Sequence, residues 1–467
     1  MPGEIVYIIF NIQRARSPTN ELHIVPYELQ STKAVPTLEG IPVELRISIL
    51  FTIPDPGSLW SLLRASPVYY EIFELVKRDL LRSLLQKHHA GLVDMTDAIA
   101  AIRSKGLHAS EQPNKEKIIA LLESRNYSYK TPRPETPPAQ LLDEPANTQE
   151  TVQLLRLHNQ ALLFLEDFCR TIRRPVWMDE TRWESDIIPL VLTETEKRRI
   201  IRAFYRLQIY GNIFGSIERT VDAAYTSEDN DWQEKQDVFT GGEMWRLFFG
   251  HMSPWEVEEF SCLWEHCCYR YESILREVSD SLVQTGCMFF DELPEDQRPP
   301  PGCWYTDCDD FESPMDKRES LTSKGPSLLC KILREKQFLA RRNLVLVNVR
   351  SFRLYFYDFG VWPRPTDNDQ MELFYPADKF NFGTDRNGLR DFLKSLPPFE
   401  RPNLAWERIW LRDDLNFAQV FYDMYEFGAT NKHRPWQYAL WDDERLIEWN
   451  VPILSDDYPF WDPRHDN

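Results

Sequence analysis

Six of the eight cysteines lie between residues 262 and 308, together with His266, and cysteine and histidine are the usual zinc ligands. No two cysteines in the chain have the CxxC spacing of common zinc sites. Two of them instead fall on the apolar stripe of a predicted helix, where a free cysteine is simply a small core residue. The spacing therefore predicts structural thiols and no metal site. The residues considered are Cys262, His266, Cys267, Cys268, Cys287, Cys303 and Cys308.

A kinase-like tripeptide, Asp358-Phe359-Gly360, occurs without the other motifs that phosphoryl transfer requires. The sequence has no glycine-rich loop, strand lysine or HRD segment to accompany it. The nine histidines are scattered, and none lies in a motif with serine, cysteine or paired carboxylates that suggests acid–base chemistry. We therefore expect a protein that is not an enzyme and that needs no cofactor.

Four arginines give one predicted helix a basic edge: Arg198, Arg199, Arg202 and Arg206. Such an edge can bind a phosphorylated or acidic protein target, because guanidinium groups form strong hydrogen bonds with anions. More commonly, a run of this kind is solvated or pairs with acidic residues of the same chain. Both interpretations are open from the sequence.

The charge and composition disfavour some classes of partner and leave protein partners open. A net charge of -19 disfavours nucleic acids and anionic lipid surfaces. The hydrophobic fraction of 42%, with 15 tryptophans, is ample for a sizeable core. The N-terminal MPGEIVYIIF is too short an apolar run for a signal peptide or a membrane span. We expect an intracellular protein, in the cytoplasm or the nucleus.

The length of 467 residues predicts two or three cooperative units. Five prolines between Thr131 and Pro145 remove backbone donors and disfavour regular helix, which indicates a linker there. The predicted segments are an irregular arm over residues 1–35, a three-helix module over 36–89, a helical extension over 90–130, the linker over 131–147, and an α-helical domain over 148–467.

Several patterns predict helices in the C-terminal domain. The stretch from Thr148 to Ile172 is apolar on nearly every face, which is typical of a buried helix. Thr193 and Glu196 have capping-box spacing before a helix that Gly211 can stop. Another helix begins near Pro254, and its apolar stripe consists of Val257, Phe260, Trp264, Cys267, Tyr271 and Ile274.

Two stretches of this domain lack helical periodicity. The acidic, proline-containing segment from Asp291 to Gly325 is predicted to be a long surface loop. The β-type residues of NLVLVNVRSFRLYFYDF, over 343–359, allow one or two strands. The predicted fold class is therefore mainly α, with at most a few short strands.

The segment IPVELRISIL, over residues 41–50, is a predicted short helix with two apolar faces. Pro42 suits a first helical turn, and Glu44 suits the positive end of the helix dipole. At about 100° per residue the apolar side chains separate into two roughly opposite sets. One set is Ile41, Leu45 and Ile49, and the other is Val43, Ile47 and Leu50.

Two further helices complete this module. Leu59, Leu62 and Leu63 mark the second, and Ser66 with Pro67 start the third. The stripe of the third helix consists of Tyr69, Phe73, Val76, Leu80 and Leu84, and residues 87–91 supply its basic end. A unit of about fifty residues is near the lower size limit for stability and covers only one face of its first helix. We expect the other face to be covered by something else.

The module resembles an F-box. The residues that carry the resemblance are Ile41-Pro42-Val43-Glu44-Leu45, Ile49-Leu50, Asp55, Leu59, Leu62-Leu63 and Ala65-Ser66-Pro67. In that family the module docks on a Skp-type adaptor, which connects it to a cullin-RING ubiquitin ligase, and the rest of the chain selects the target. The resemblance implies that the adaptor-facing residues are Ile41, Pro42, Leu45, Ile49, Leu50, Leu62 and Leu63.

Three other blocks resemble recurring blocks of uncharacterised filamentous-fungal F-box proteins: LTETEKRRIIRAFYRLQIYGNIFG, SPWEVEEF and RPWQYALWDDERL. These resemblances imply an adaptor that presents a protein target to a cullin-RING ligase. The alternative is a scaffolding protein whose F-box-like helices pack internally against residues 151–467. The two interpretations differ in whether the spare face of the first helix is exposed.

Overall fold

The computed structural model describes residues 37–89, 95–129, 142–220, 238–239, 241–285, 292–300, 314–349, 386–411 and 434–455. Within these residues every regular element is helical and no β-strand occurs, so the predicted mainly α fold is confirmed. The α-helices are α1 (Val43–Thr52), α2 (Pro56–Ala65), α3 (Pro67–His89), α4 (Met95–Arg103), α5 (Lys115–Tyr129), α6 (Thr148–Thr171), α7 (Glu180–Arg182), α8 (Glu194–Ile213), α9 (Gly241–Leu247), α10 (Pro254–Thr285), α11 (Pro314–Thr322), α12 (Pro326–Arg334), α13 (Phe338–Asn348), α14 (Arg386–Ser395), α15 (Leu404–Trp410) and α16 (Asp443–Glu448).

The chain forms two compact units, and the helical extension belongs to the larger one. The first unit contains Met1–Ala90 and Pro145–Arg156, and the second contains Gly91–Glu144 and Leu157–Asn467. Helix α4 packs on α8, where the Asn212 side chain donates a hydrogen bond of 2.8 Å to the Ala101 carbonyl oxygen. The extension is thus part of the second unit's core. The predicted arm, and residues 131–141 of the predicted linker, lie outside the described residues.

The first unit contains α1, α2 and α3 together with the first part of α6. The Asp55 side chain caps α2 by accepting a hydrogen bond of 2.9 Å from the backbone N–H of Ser58. Both α1 and α2 pack on the long helix α3. Four residues of the stripe predicted for α3 are buried, and Val76 is partly exposed; the buried residues are Tyr69, Phe73, Leu80 and Leu84.

Helices α8 and α10 pack against each other in the core of the second unit. The predicted capping box at the start of α8 is confirmed, with Thr193 and Glu196 each accepting a hydrogen bond from the other's backbone N–H. The stripe predicted for α10 is buried along its whole length, from Val257 to Ile274. The predicted helix from Thr148 is also present, as α6.

Gly211 does not stop α8, and that prediction is wrong. The helix continues to Ile213, and Phe214 caps its C-terminus. A Cβ atom at Gly211 would lie 2.6 Å from the backbone nitrogen of Gly325, closer than real Cβ contacts allow. Glycine is therefore needed here for the close approach of two backbones and not for a left-handed cap.

Gly211→Ala is expected to lower the free energy of unfolding of the second unit by about 1–3 kcal/mol, because overpacking forces the Gly325 backbone to move. The same substitution at an exposed position inside a helix stabilises a protein by up to about 1 kcal/mol. Urea unfolding of wild type and Gly211→Ala measures whether the free energy of unfolding falls or rises. A more stable Gly211→Ala variant would contradict the close approach.

Two predictions for the C-terminal domain are wrong. The end of the predicted loop from Asp291 forms the buried helix α11, whose Ser320 and Thr322 lie in the core. The sequence of α11 shows no hydrophobic periodicity, because polar side chains occupy its buried positions. The first part of the predicted strand region, residues 343–348, belongs to α13, since a short apolar run has no period that separates strand from helix. Residues 350–359 lie outside the described part.

Candidate docking surface and buried ionic cluster

Helix α1 is apolar but mostly uncovered. Of its ten residues Leu50 alone is buried, although the helix also contains Val43, Leu45, Ile47 and Ile49. The Leu45 side chain is 53% exposed. A helix of a stable soluble unit normally buries its apolar face. The exposed face of α1 therefore has the character of a binding surface.

The structure brings four of the predicted adaptor-facing residues together at the start and along one face of α1. Leu45 and Ile49 are four residues apart on one face of the helix, and Ile41 and Pro42 directly precede it, with Pro42 at the N-cap position. Pro42 and Leu45 are exposed, and Ile41 and Ile49 are partly exposed. We call these four residues the docking surface. Leu62 is also partly exposed, but it belongs to α2.

Two predicted adaptor-facing residues lie in the core instead. Leu50 and Leu63 are buried, and their placement on the surface is wrong. Leu50 belongs to the set opposite Leu45, and α1 packs on α3. The module therefore covers part of one face of α1, as its small size predicts, and leaves Leu45 outside.

Leu38 is a further exposed apolar residue just before the docking surface in sequence, and sequence reasoning missed it. It begins a short 3-10 turn, Leu38–Gly40, just before α1, and its side chain is exposed. The turn is held by the Ser66 hydroxyl, which donates to the Glu39 carboxylate, and by the Tyr69 hydroxyl, which donates to the Leu38 carbonyl oxygen. The sequence shows only that residue 38 is apolar. The hydrogen bonds from Ser66 and Tyr69 that hold the turn come from residues distant in sequence, so local spacing does not predict them.

The second unit contains a set of buried ion pairs that we call the ionic cluster: Asp97, Arg125, Arg199, Arg202, Arg206, Glu256 and Glu259. Asp97 accepts hydrogen bonds from Arg125 at 2.6 Å and from Arg206 at 2.9 Å. Arg206 also pairs with Glu256 at 3.2 Å. Burial opposes the charged form of Asp97, yet the two guanidinium groups outweigh it and lower the pKa of the carboxyl group.

The ionic cluster decides between the two interpretations of the basic edge. Arg202 pairs with Glu256 at 3.0 Å and with Glu259 at 2.6 Å. Arg199 pairs with Asp442 at 3.0 Å. Three of the four arginines, Arg199, Arg202 and Arg206, thus pair with acidic residues of the same chain, as the second interpretation predicted. The guanidinium carbon of Arg198 instead lies 4.1 Å from the centroid of the Phe399 ring. The three paired arginines do not form an open site for an acidic target.

The three sequence blocks that resemble fungal F-box proteins come together in the second unit, where α8, the start of α10 and residues 434–446 pack against one another. The Tyr438 hydroxyl donates a hydrogen bond of 2.8 Å to Glu258. The Arg445 guanidinium donates to Glu196 at 2.6 Å. The blocks therefore build the polar interior of the second unit, which is a structural role.

The cysteines and the histidine considered for zinc are core residues wherever the structure describes them. Cys262, Cys267 and Cys268 are buried in α10, and burial raises the pKa of the last two thiols well above the usual range. Among the described residues, no group of three or more His, Cys, Asp or Glu side chains is placed to hold a metal ion. Cys287, Cys303 and Cys308 lie outside those residues.

His266 is buried between aromatic rings, with its centroid 4.5 Å from that of Phe168 and 5.7 Å from that of Phe164. Neither ring nitrogen has a hydrogen-bond partner within the described part of the chain. Burial, with a smaller effect from the Arg270 charge, lowers the pKa of His266 to about 3. The imidazole is therefore neutral and polar in an apolar site, which is energetically unfavourable.

His266→Phe is expected to raise the free energy of unfolding by about 1–3 kcal/mol at pH 7.5, because it removes two unsatisfied polar atoms from an aromatic site. Below pH 6.5, the ordinary pKa, the unfolded wild-type imidazole gains a proton that the folded one does not accept. As the pH falls towards 3, this residue lowers the free energy of unfolding of wild type by up to about 1.4 kcal/mol per pH unit. The stability difference between wild type and His266→Phe therefore widens. Urea unfolding at pH 7.5 and 5 measures both effects. A variant less stable than wild type at both values would contradict them.

No protein-family model, curated protein or solved structure matches the chain. In the part that the structure describes, no helix has the length and apolarity needed to cross a membrane. The functional assignment consequently depends on the exposed face of α1 and on the residues that form it.

Proposed function

We propose that this protein is an F-box-type adaptor that docks on a Skp-type protein and presents a protein target to a cullin-RING ubiquitin ligase. The observation that supports the proposal is the exposure of Leu45 on an apolar helix that buries one residue of ten. The resemblance of residues 41–67 to an F-box names the class of partner. The second unit then supplies the surfaces that select the target.

The energetics of the docking surface suit a protein partner. Fully burying a leucine side chain contributes about 1.5–3 kcal/mol, and the exposed part of Leu45 makes much of this available to a partner. Asp55 caps α2, and the Lys87 ammonium group donates a hydrogen bond of 2.6 Å to the Phe51 carbonyl oxygen at the end of α1. The Lys87 contact and packing on α3 hold α1 in place before binding, which lowers the entropic cost of association.

The alternative, a scaffolding protein with an internally packed module, needs the docking surface to be covered. Within the first unit, α2 and α3 leave Leu45 half exposed, and this supports the adaptor proposal, which needs the side chain to be available to a partner. A second candidate function has no comparable observation in its favour.

Co-purification of the full chain with a Skp-type adaptor, a cullin and a RING subunit tests the proposal. The expected result is a single assembly that contains all four proteins on size exclusion. An adaptor and cullin that co-elute with each other, while this chain elutes separately, would refute the proposal and leave the scaffolding alternative.

A further inference from the structure

Arg46 is a cationic residue at the edge of the docking surface. It precedes Ile49 by three residues on α1 and comes one helical turn after the N-cap residue Pro42. It also precedes the buried Leu50 by one turn, and its own side chain is partly exposed. Arg46 therefore lies at the border between the side of α1 that the module covers and the side that it leaves to a partner.

The positive charge of Arg46 has no counterion within the described part of the chain. Its Nε–H is buried without a hydrogen-bond acceptor, and its terminal nitrogens form no hydrogen bond or ion pair with the described residues. Glu44 precedes Arg46 by two residues and so lies about 200° away around the helix. Glu39 already accepts a hydrogen bond from Ser66. The guanidinium group thus remains unmatched beside an apolar surface.

Docking on Leu45 and Ile49 places a partner next to this guanidinium group and removes water from it. A charge that loses its hydration at an interface weakens binding unless the partner supplies an opposite charge. Carboxylates are suited to this role, because the guanidinium group donates two parallel hydrogen bonds to one carboxylate. The docking surface therefore fits a partner that is apolar opposite Leu45 and acidic opposite Arg46.

We propose that the adaptor surface that meets α1 carries an aspartate or glutamate side chain that pairs with Arg46. This inference names the chemistry of the partner for the same docking surface, and it therefore rests on the proposed function. The terminal nitrogens of Arg46 donate to the carboxylate oxygens, while Leu45 and Ile49 supply the apolar contact. The ion pair favours acidic partners and disfavours basic ones.

The test measures the Kd of a purified Skp-type adaptor for full-length variants at low and high NaCl concentration by titration calorimetry. At low salt, Arg46→Gln is expected to weaken binding about five- to thirtyfold, because it removes the charge and keeps a polar side chain. Arg46→Glu is expected to weaken binding further, since it adds repulsion between two carboxylates. Added salt is expected to weaken wild-type binding more steeply than binding by Arg46→Gln, because salt screens the ion pair.

Arg78 provides the matched control. It is an exposed arginine on α3, outside the docking surface, and it likewise forms no ion pair or hydrogen bond with the residues that the structure describes. Arg78→Gln and Arg78→Glu change the net charge as the Arg46 variants do. Both are expected to leave the Kd within about twofold of wild type, as for neutral surface positions.

Two results would overturn the inference in variants that circular dichroism shows to be folded. One is a Kd of Arg46→Gln equal to that of wild type. The other is a salt dependence of binding that Arg46→Gln does not change. An adaptor that fails to bind wild type refutes the proposed function and this inference with it, whereas wild-type binding that Arg46→Gln leaves unchanged refutes this inference alone.

Discussion

Leu45→Asp is expected to weaken binding of the Skp-type adaptor by about 2–4 kcal/mol, or roughly 30- to 1,000-fold in Kd, the range of a central hot-spot residue. The substitution places a carboxylate where the partner is expected to bury an apolar side chain, and that charge would lose its hydration without gaining a counterion. Because Leu45 is exposed in the free chain, the aspartate remains hydrated there and the fold is not disturbed. Titration calorimetry with purified adaptor measures the change.

Leu75→Asp is the matched control for this prediction. Leu75 lies on α3 of the same unit and is 80% exposed, and it is not part of the docking surface. The same chemical change there is expected to leave the Kd of the adaptor within about twofold of wild type, as for neutral surface positions. Equal affinities of wild type and Leu45→Asp, with both proteins folded by circular dichroism, would remove Leu45 from the interface.

Asp97→Ala is expected to lower the free energy of unfolding of the second unit by about 3–5 kcal/mol, the usual cost of removing one partner from a buried ion pair. The Asp97 and Arg125 side chains are each only 1% exposed. Removing the carboxylate leaves the guanidinium groups of Arg125 and Arg206 without their shared anion in a site that excludes water. Urea unfolding followed by tryptophan fluorescence measures the loss.

The control is an ion pair of similar length at the surface. Arg170 and Glu166 are 2.7 Å apart, and their side chains are 65% and 59% exposed. Glu166→Ala is expected to change stability by less than about 1 kcal/mol, because water screens both charges. An equally small effect of Asp97→Ala would show that burial of the ionic cluster is not maintained in solution.

The features that could be predicted from the sequence are those fixed within a few turns of chain. The two apolar faces of α1 follow from its helical period, and the capping box follows from the spacing of Thr193 and Glu196. The buried stripe of α10 is likewise visible as repeated apolar residues. In each case the residues that decide the local structure lie within one element.

The features that could not be predicted depend on partners distant in sequence. Arg206 and Asp97 are separated by 109 positions, so the spacing of the arginines cannot show which carboxylates neutralise them. Gly211 is required because the backbone of Gly325 comes close to it, and this contact leaves no local signal. Helix α11 is buried through polar residues, which a hydrophobic pattern does not reveal.

The docking surface itself was partly predictable. The helical period places Leu45 and Leu50 on different faces, but it does not show which face the module covers. The resemblance to an F-box implied that both residues face the adaptor, whereas packing on α3 buries Leu50. The turn that contains Leu38 depends on hydrogen bonds from Ser66 and Tyr69, which lie about 30 residues later, at the start of α3.

Hydrogen exchange of the full chain, alone and with a Skp-type adaptor in excess, tests the central claim most directly. Backbone amides of Val43–Thr52 are expected to exchange more slowly in the mixture, because a partner that covers the docking surface suppresses opening of this short helix. Amides of Glu194–Ile213, in the core of the second unit, are expected to be unchanged. Protection that appears elsewhere in the chain while Val43–Thr52 exchanges as before would contradict the account.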